Sequence, residues 1–470
     1  MKRLVLPLAF ALVGCATLPT APPDRGQMWL TTADETKTMA REPELRPVAA
    51  AGEATIRIDP SQRFQTIQGF GAAITDASAE LIGRLPADKQ SALMHELFGR
   101  RDGGLGLSFT RLTVGASDFS STHYSLDDSP GNRPDIALTY YSIAEPTRYV
   151  LPVTRQAKAI NPDLAVMITP WSAPAWMKTS KSLIKGRLEP TAYPAFANYL
   201  ARTVEEFGRE GVSVDLLSIQ NEPDFEPENY PGMRMSAAER AAVIGMFVGP
   251  TFAQRGLKTK ILDWDHNWDK PEQPLGVLAD PIANRYVAGV AWHCYGGDVP
   301  AQEKVRAAYP DKEVWFTECS GGNWAPKFSE TLGWMTSKLI IGSSNTGSRG
   351  TLLWNLALDP KYGPHKGGCG DCRGVVTIDP ASGSITRNVE YYVLAHASRF
   401  VRPGAVRVAA TVSGGYEASA FVNADGSTAA ILFRPDAALG DATIDLNGRR
   451  FAISMPKGSV ATIVWNRLGR

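Results

Sequence analysis

From about residue 64 the chain alternates short β-rich runs with helical segments, and it does so eight times. The runs are Thr66–Ala73, Leu107–Val114, Leu164–Thr169, Val214–Gln220, Thr259–Asp263, Val287–His293, Glu313–Glu318 and Thr351–Asn355. Between them lie segments such as 191–208 and 237–247, whose apolar residues fall three and four apart as on one face of a helix. Each helix returns the chain to begin the next strand in the same direction, so the strands must pair parallel. Eight such units predict an α/β fold, a closed (β/α)8 TIM barrel rather than an open sheet.

The last part of the chain changes character. Val406–Val412, Tyr416–Val422, Ala429–Phe433, Ala442–Leu446 and Val460–Trp465 are strand-like runs broken by Gly, Asn and Asp, which predicts a C-terminal antiparallel β-sandwich. Ala54–Ile58 precedes the barrel and is expected to join that sandwich. The expected organisation is a signal segment at 1–15, a tether and N-terminal extension at 16–52, the joining strand at 53–63, the barrel at 64–390 and the sandwich at 391–470.

Lys2 and Arg3 open the chain and Leu4 to Gly14 form an apolar run too short to span a bilayer, the pattern of an export signal. Leu12-Val13-Gly14-Cys15 resembles a bacterial lipoprotein cleavage box, in which Cys15 becomes the lipid-bearing first residue; a plain secretory signal is the alternative. The resemblance implies an exported protein anchored at the periplasmic or outer-membrane surface and touching membrane only through its lipid. Lys+Arg and Asp+Glu nearly cancel, 49 against 48, so no global field draws the protein to nucleic acid. Cys294, Cys319, Cys369 and Cys372 remain; export permits disulfides among them in three connectivities, and structural thiols or one disulfide are expected. One C-x-x-C pair is too few ligands for zinc, and no metal or cofactor is expected.

Nearly every unusual cluster falls at the C-terminal end of an expected barrel strand, where barrel enzymes gather their loops and their chemistry. Two carboxylates stand out. The apolar run Leu216-Leu217-Ser218-Ile219 ends in Gln220-Asn221-Glu222-Pro223, and Val314-Trp315-Phe316 ends in Thr317-Glu318. A carboxylate at the end of a buried strand is costly unless it is paired or put to use. Two together meet the need of glycoside hydrolysis, in which one acid protonates the leaving oxygen while the other carboxylate attacks or stabilises the anomeric carbon.

Gln68-Gly-Phe-Gly-Ala-Ala-Ile-Thr-Asp76, Arg111, Gly115-Ala-Ser-Asp-Phe-Ser120, Thr169-Pro-Trp-Ser-Ala-Pro-Ala-Trp-Met177, Gln220–Pro223, Trp292-His293-Cys-Tyr295, Phe316-Thr-Glu318 and Leu353–Leu358 appear in that order. Together they resemble glycoside hydrolase family 30, of the glucosylceramidase type and a bacterial member. The resemblance implies retention, with Glu222 as acid/base and Glu318 as nucleophile. It implies that Asn221 bonds the sugar 2-hydroxyl and that Asp118, Trp171 and Trp354 line the sugar pocket. Arg111 and Tyr295 match residues beside the nucleophile, and His293 matches one close to the catalytic pair.

The residues themselves agree with these roles. Asp118 can accept hydroxyl hydrogen bonds, indole faces suit sugar C–H groups, and Arg111 can hold Glu318 ionised. His293 serves equally as a tuner of Glu222 or as a structural histidine, and Trp176 as core or platform. Thr75-Asp76 has the composition of a helix start, which makes Asp76 structural. Asp263–Asp269 is expected as a sugar-contacting loop. His365–Gly374 departs from the animal glucosylceramidases and is expected to shape the leaving-group side. The first reading is therefore a β-D-glucosidase of glucosylceramidase type acting on a β-glucoside or β-glucan. An endo-β-1,6-glucanase is the alternative, and a non-catalytic carbohydrate-binding lipoprotein is the alternative of another class.

Overall fold

The computed structural model describes residues 25–49, 54–101 and 103–466. The expected signal segment, with Cys15, lies outside the described residues. Among those described, no helix is long and apolar enough to cross a membrane.

Eight parallel strands close a barrel: β1 Gly69–Ala73, β2 Phe109–Val114, β3 Ala165–Pro170, β4 Leu216–Ser218, β5 Lys260–Asn267, β6 Val287–His293, β7 Glu313–Glu318 and β8 Ser348–Asn355. All eight expected runs become barrel strands, and β5 runs further than the sequence suggested. Helices cover the outside. Tyr193–Arg209 begins with a proline in its first turn and buries Phe196, Tyr199, Leu200, Val204 and Phe207 along one stripe. Each such side chain contributes about 1.5–3 kcal/mol of burial.

The barrel axis is filled, and what fills it decides where chemistry can occur. Phe109, Met167, Leu216, Leu262, Ala291, Trp315 and Leu352 form an apolar plug, with the Phe109 and Trp315 rings 5.2 Å apart. A Cβ on Gly350 would lie 2.8 Å from the Phe109 ring, so β8 gives way to let that ring reach the axis. Side chains alternate along a strand, so the residue two further on faces inward again, one layer higher. Those positions hold Arg111, Thr169, Ser218, His293, Thr317 and Trp354, while on β5 the register shifts at Trp264, which joins the surrounding core. A polar layer thus stands directly on an apolar one.

The second domain is a nine-stranded sheet among the described residues, folded over its own core of Ile56, Ile58, Leu432, Ile444, Phe451, Ile463 and Trp465. Ala54–Thr66 pairs antiparallel with Val406–Val412 on one side. On its other side it pairs parallel with Ala442–Leu446, so the sandwich is not wholly antiparallel. Three strands were not expected, the shortest being Ala40–Arg41 at the sheet edge beside Gln27–Thr31. Arg449–Ile453 completes a hairpin with Ala442–Leu446. Gln27–Thr31, within the stretch read as tether and extension, pairs with Ser459–Trp465. Its alternation is only five residues long, Met28 and Leu30 facing the sandwich core, and it follows a Pro-rich stretch that masks it.

The outer face of the sandwich packs on the barrel through Phe421, Ala429, Ile431 and Val460. The helix Val389–Ser398 lies between the two domains, and its buried His396 bridges them. The two ring nitrogens lie 2.9 Å from Thr462 Oγ1 and 2.9 Å from Thr31 Oγ1.

Burial pushes the His396 imidazole down to about 3, so the fold holds it neutral. The unfolded chain protonates it near 6.5, so its contribution is complete above about pH 6.5. Below that it is lost at up to about 1.4 kcal/mol per pH unit, until about pH 3. His396→Gln, which does not titrate, is expected to lose unfolding free energy less steeply than wild type between about pH 6.5 and 4.5 in urea melts. Parallel curves for the two proteins would rule out a neutral, buried His396.

Candidate active site

Arg111 stands at the centre of the polar layer, fully buried. Its guanidinium donates to Glu318 Oε2 at 2.5 Å, Asp265 Oδ2 at 2.6 Å, Asn221 Oδ1 at 2.7 Å and Thr169 Oγ1 at 3.2 Å. The ends of β3, β4, β5 and β7 therefore converge on one cation. Its planar face lies 4.7 Å from the Trp171 ring centroid, and Trp171 stacks on Trp354 at 4.9 Å.

Glu318 and Asp265 reach Arg111 because their strands lose register at the top. The β6–β7 ladder shifts between Phe316 and Glu318, and the β5–β6 ladder shifts between Trp264 and His266. Each shift turns an extra residue inward, which lets Thr317 and Glu318 both face the site. Thr317 Oγ1 donates to Asp265 Oδ1 at 2.7 Å, and His293 Nε2 lies 3.0 Å from the same oxygen. Trp264 and Asp265 adopt φ of 74° and 52°.

Glu222 is also left-handed, at φ 46°, a conformation that costs a non-glycine residue about 1–2 kcal/mol. Its N–H donates to Asp265 O at 3.1 Å, and its Oε1 lies 3.0 Å from His293 Nδ1. His293 thus links the Glu222 carboxylate to Asp265. The Tyr295 hydroxyl donates to Glu318 Oε1 at 3.0 Å.

Glu222, His293 and Glu318 each offer an atom, all within 4.8 Å of one another. Such a trio could ligate a cation, but each member is already engaged, and the Arg111 guanidinium 2.5 Å from Glu318 repels a second positive charge. The geometry suits proton transfer and nucleophilic displacement between two carboxylates.

Electrostatics divide the groups. Burial disfavours the Asp265 anion, but Arg111 and His293 outweigh it and hold the carboxyl well below the usual range. Burial likewise disfavours the His293 imidazolium, yet Glu318, Asp265 and Glu222 raise it to about 9. Glu222 feels burial upward, but the hydrogen bond from His293 and the positive charges near it bring it below its ordinary value. Burial leaves Glu318 above its ordinary value despite His293 and Arg111. The proton expected on a lone, raised Glu222 is therefore held by the Glu222–His293 pair.

Every candidate described for the site lies in this one mouth: Asp118, Trp171, Asn221, Tyr295 and Trp354 surround Glu222 and Glu318, with Arg111 and His293 behind them. Burial and then the Glu318 charge push Asp118 up to about 8, so in the free site it also has a proton to donate. Trp176 turns instead to Asp127, donating to Oδ2 at 2.7 Å inside the core. Asp76 starts the helix Asp76–Gly83 after the Thr75 cap and takes hydrogen bonds from Ser120 and Tyr124. Asp263–Asp269 is not a sugar-contacting loop. Most of it is buried strand β5, with Asp263 paired to Arg240 at 2.8 Å and Asp265 to Arg111. Asp265, Thr317 and Thr169 were missed as site residues. The signal was present in Asp263-x-Asp265 at a strand end, where two buried carboxylates demand two cations.

The four cysteines form two disulfides where at most one was expected, Cys294–Cys319 and Cys369–Cys372, because neighbouring strand ends bring the first pair together. The His365–Gly374 loop does not confine itself to the leaving-group side. Lys366 N–H donates to Asp118 O at 2.8 Å, and Cys372 packs with Phe119, Trp171 and Trp354, so the loop backs the wall of the aromatic pocket. From there it crosses to Asn323, whose N–H donates to Asp371 O at 2.8 Å.

Residues 67–401 match the glycosyl hydrolase family 30 TIM-barrel domain, and residues 404–463 match the family 30 β-sandwich domain. The endo-1,6-β-D-glucanase BGN16.3 of Trichoderma harzianum is 33% identical over 430 residues, covering 85% of this chain and 84% of its own length. Putative glucosylceramidase 2 of Caenorhabditis elegans is 30% identical over 398 residues, covering 80% and 75%. Among solved structures, the endo-β1,6-glucanase BT3312 superposes with a TM-score of 0.86 at 32% identity, covering 94% of this chain and 100% of its own.

Arg111→Met removes the cation that Asp265 and Glu318 share. The loss in urea-unfolding free energy at pH 7 is expected to be about 3–5 kcal/mol. The penalty should shrink towards about pH 5, because carboxylates without their cation take up protons and cease to repel. An equal penalty at both pH values would assign the effect to packing and not to charge.

Proposed function

The chain belongs to glycosyl hydrolase family 30, and from that premise we propose that it is a retaining endo-β-1,6-glucanase. The observation that carries the mechanism is the approach of Glu222 and Glu318, with oxygens inside 4.8 Å. Retaining enzymes hold their carboxyl groups about 5–5.5 Å apart, and inverting ones leave room for a water at about 6.5–9.5 Å.

In this reading Glu318 attacks the anomeric carbon while the Glu222–His293 pair delivers its proton to the departing glycosidic oxygen. Arg111 and Tyr295 aim the attacking carboxylate, one on each oxygen, and the Arg111 charge favours its ionised form against burial. Asn221 spends its carbonyl on Arg111, which leaves its amide N–H groups to donate to the sugar beside the reacting carbon. Water then enters, Glu222 takes its proton, and the glycosyl ester on Glu318 is released as the β-anomer.

Two things favour glucan over a lipid glucoside. Relatives at 31–33% identity carry the endo-1,6-β-D-glucanase name, as does the structural relative at 32%. Phe225, Tyr295 and Trp324, on the loops after β4, β6 and β7, are 46%, 47% and 53% exposed. Flat rings around a mouth suit successive sugar units.

A β-1,6-glucan is expected to yield gentio-oligosaccharides whose first-formed anomer is β by NMR, with glucosylceramide in mixed micelles turned over far more slowly. Glu318→Ala should abolish turnover and recover in azide with an α-glucosyl azide product. Glucosylceramide cleaved in preference to glucan would restore the glucosylceramidase reading. An initial α-anomer would reject retention.

We also propose export and lipidation at Cys15, on the strength of the Lys2-Arg3 start, the apolar run and the Leu12–Cys15 box. In a bacterial host, Cys15→Ser should shift the protein from the detergent to the aqueous phase in Triton X-114 partitioning. Identical partitioning of both forms would dismiss the anchor.

A further inference from the structure

We infer that the Cys294–Cys319 disulfide is a positioning clamp for the nucleophile, and not only a brace on the fold. The inference rests on the reading of Glu318 as nucleophile. The bond joins the residue after His293 to the residue after Glu318. β6 and β7 pair step by step from Gly289 with Glu313 to Trp292 with Phe316, then slip, and the last pairing is His293 with Glu318. The ladder ends where the two functional side chains stand. On both strands the covalent bond takes over at the very next residue.

What that bond fixes is the grip on Glu318. Arg111 holds Oε2 from β2, deep in the barrel and tied to three other strand ends. Tyr295 holds Oε1 from the β6 loop, where the residue is half exposed and its ring meets His293 edge-on at 6.2 Å. Its backbone N–H is bound only to the side chain of Asn267, at 3.0 Å. Cys294 is the residue immediately before Tyr295, and its partner Cys319 is fully buried in the barrel core. The disulfide therefore ties the residue that precedes the half-exposed Tyr295 to one buried in the barrel core. A reacting carboxylate has to be held to about 0.5 Å, which a free loop end does not guarantee. The other disulfide, Cys369–Cys372, spans three positions within one loop and joins no pair of catalytic strands.

The test is Cys294→Ala/Cys319→Val, which removes the bond while keeping the buried position apolar. The folded variant is expected to lose about ten-fold in kcat on gentiotetraose with KM within about two-fold. Its crystal structure should show the Tyr295 hydroxyl beyond hydrogen-bond reach of Glu318. A kcat within two-fold of wild type overturns the clamp, and so does a Tyr295–Glu318 hydrogen bond that persists unchanged. The structural readout holds even if gentiotetraose is not a substrate, which separates failure of the clamp from failure of the glucanase reading. If the double variant does not fold, Cys369→Ala/Cys372→Ala enzyme is reduced with a trialkylphosphine and compared with its own oxidised form. The phosphine takes oxygen from water as its oxide and leaves the thiols of Cys294 and Cys319, so the same bond opens without substitution there. The same outcomes decide it.

Discussion

The arrangement at the barrel mouth depends on one buried guanidinium. Arg111 has no solvent to hydrate it, and desolvating such an ion costs several kcal/mol unless its donors are used. They are used on Thr169, Asn221, Asp265 and Glu318, which come from four different strand ends. Once Arg111 is fixed, Asp265 is fixed as an anion, and that anion sets His293 through Nε2. His293 in turn presents Nδ1 to Glu222. Glu222 is thus placed by a chain of charge that begins three groups away. A lysine could supply the charge but not the planar fork that serves several oxygens at once.

The apolar plug beneath this network gives it its strength. Trp315, Phe109 and their neighbours exclude water from below, so the ion pairs act in a medium less polarisable than water. The same layer dictates the inward positions available above it, two residues further along each strand. Strict alternation would place Thr317 inward and Glu318 outward. The register shift at the end of β7 admits both, and a matching shift in β5 admits Asp265. Glu318 and Asp265 stand where the ladders break, because an unbroken ladder has no place for them.

That explains what could be read from the sequence and what could not. The eight strands announced themselves as apolar runs, since a run of Val, Leu and Phe reports burial directly. Glu222 and Glu318 were legible because a carboxylate ending such a run has few bland explanations. Asp265 was hidden by its own strand: β5 reads Asp-Trp-Asp-His-Asn, which looks like a polar loop unless the cations that neutralise it are already in view. Arg111 and Arg240 lie far away in sequence, so pairing was invisible to local pattern. Gln27–Thr31 escaped for a different reason. A five-residue edge strand gains its place from Ser459–Trp465, at the other end of the chain. The cysteine pairing was open for the same cause, because Cys294 and Cys319 meet only once β6 and β7 are neighbours.

The charges also fit the two halves of the proposed reaction. In the free site the Glu318 anion is the leading favourable partner of the His293 imidazolium, ahead of Asp265 and Glu222. Forming the glycosyl ester removes that anion. His293 then loses its strongest reason to stay charged, while Glu222 loses the like charge that opposed its own ionisation. Both changes accompany the transfer of the pair's proton to the leaving group, which turns Glu222 from donor to acceptor. Arg111 does not follow this cycle, since Asp265 and Asn221 keep hold of it. It therefore remains in place to receive Glu318 when the ester is cleaved and the charge returns.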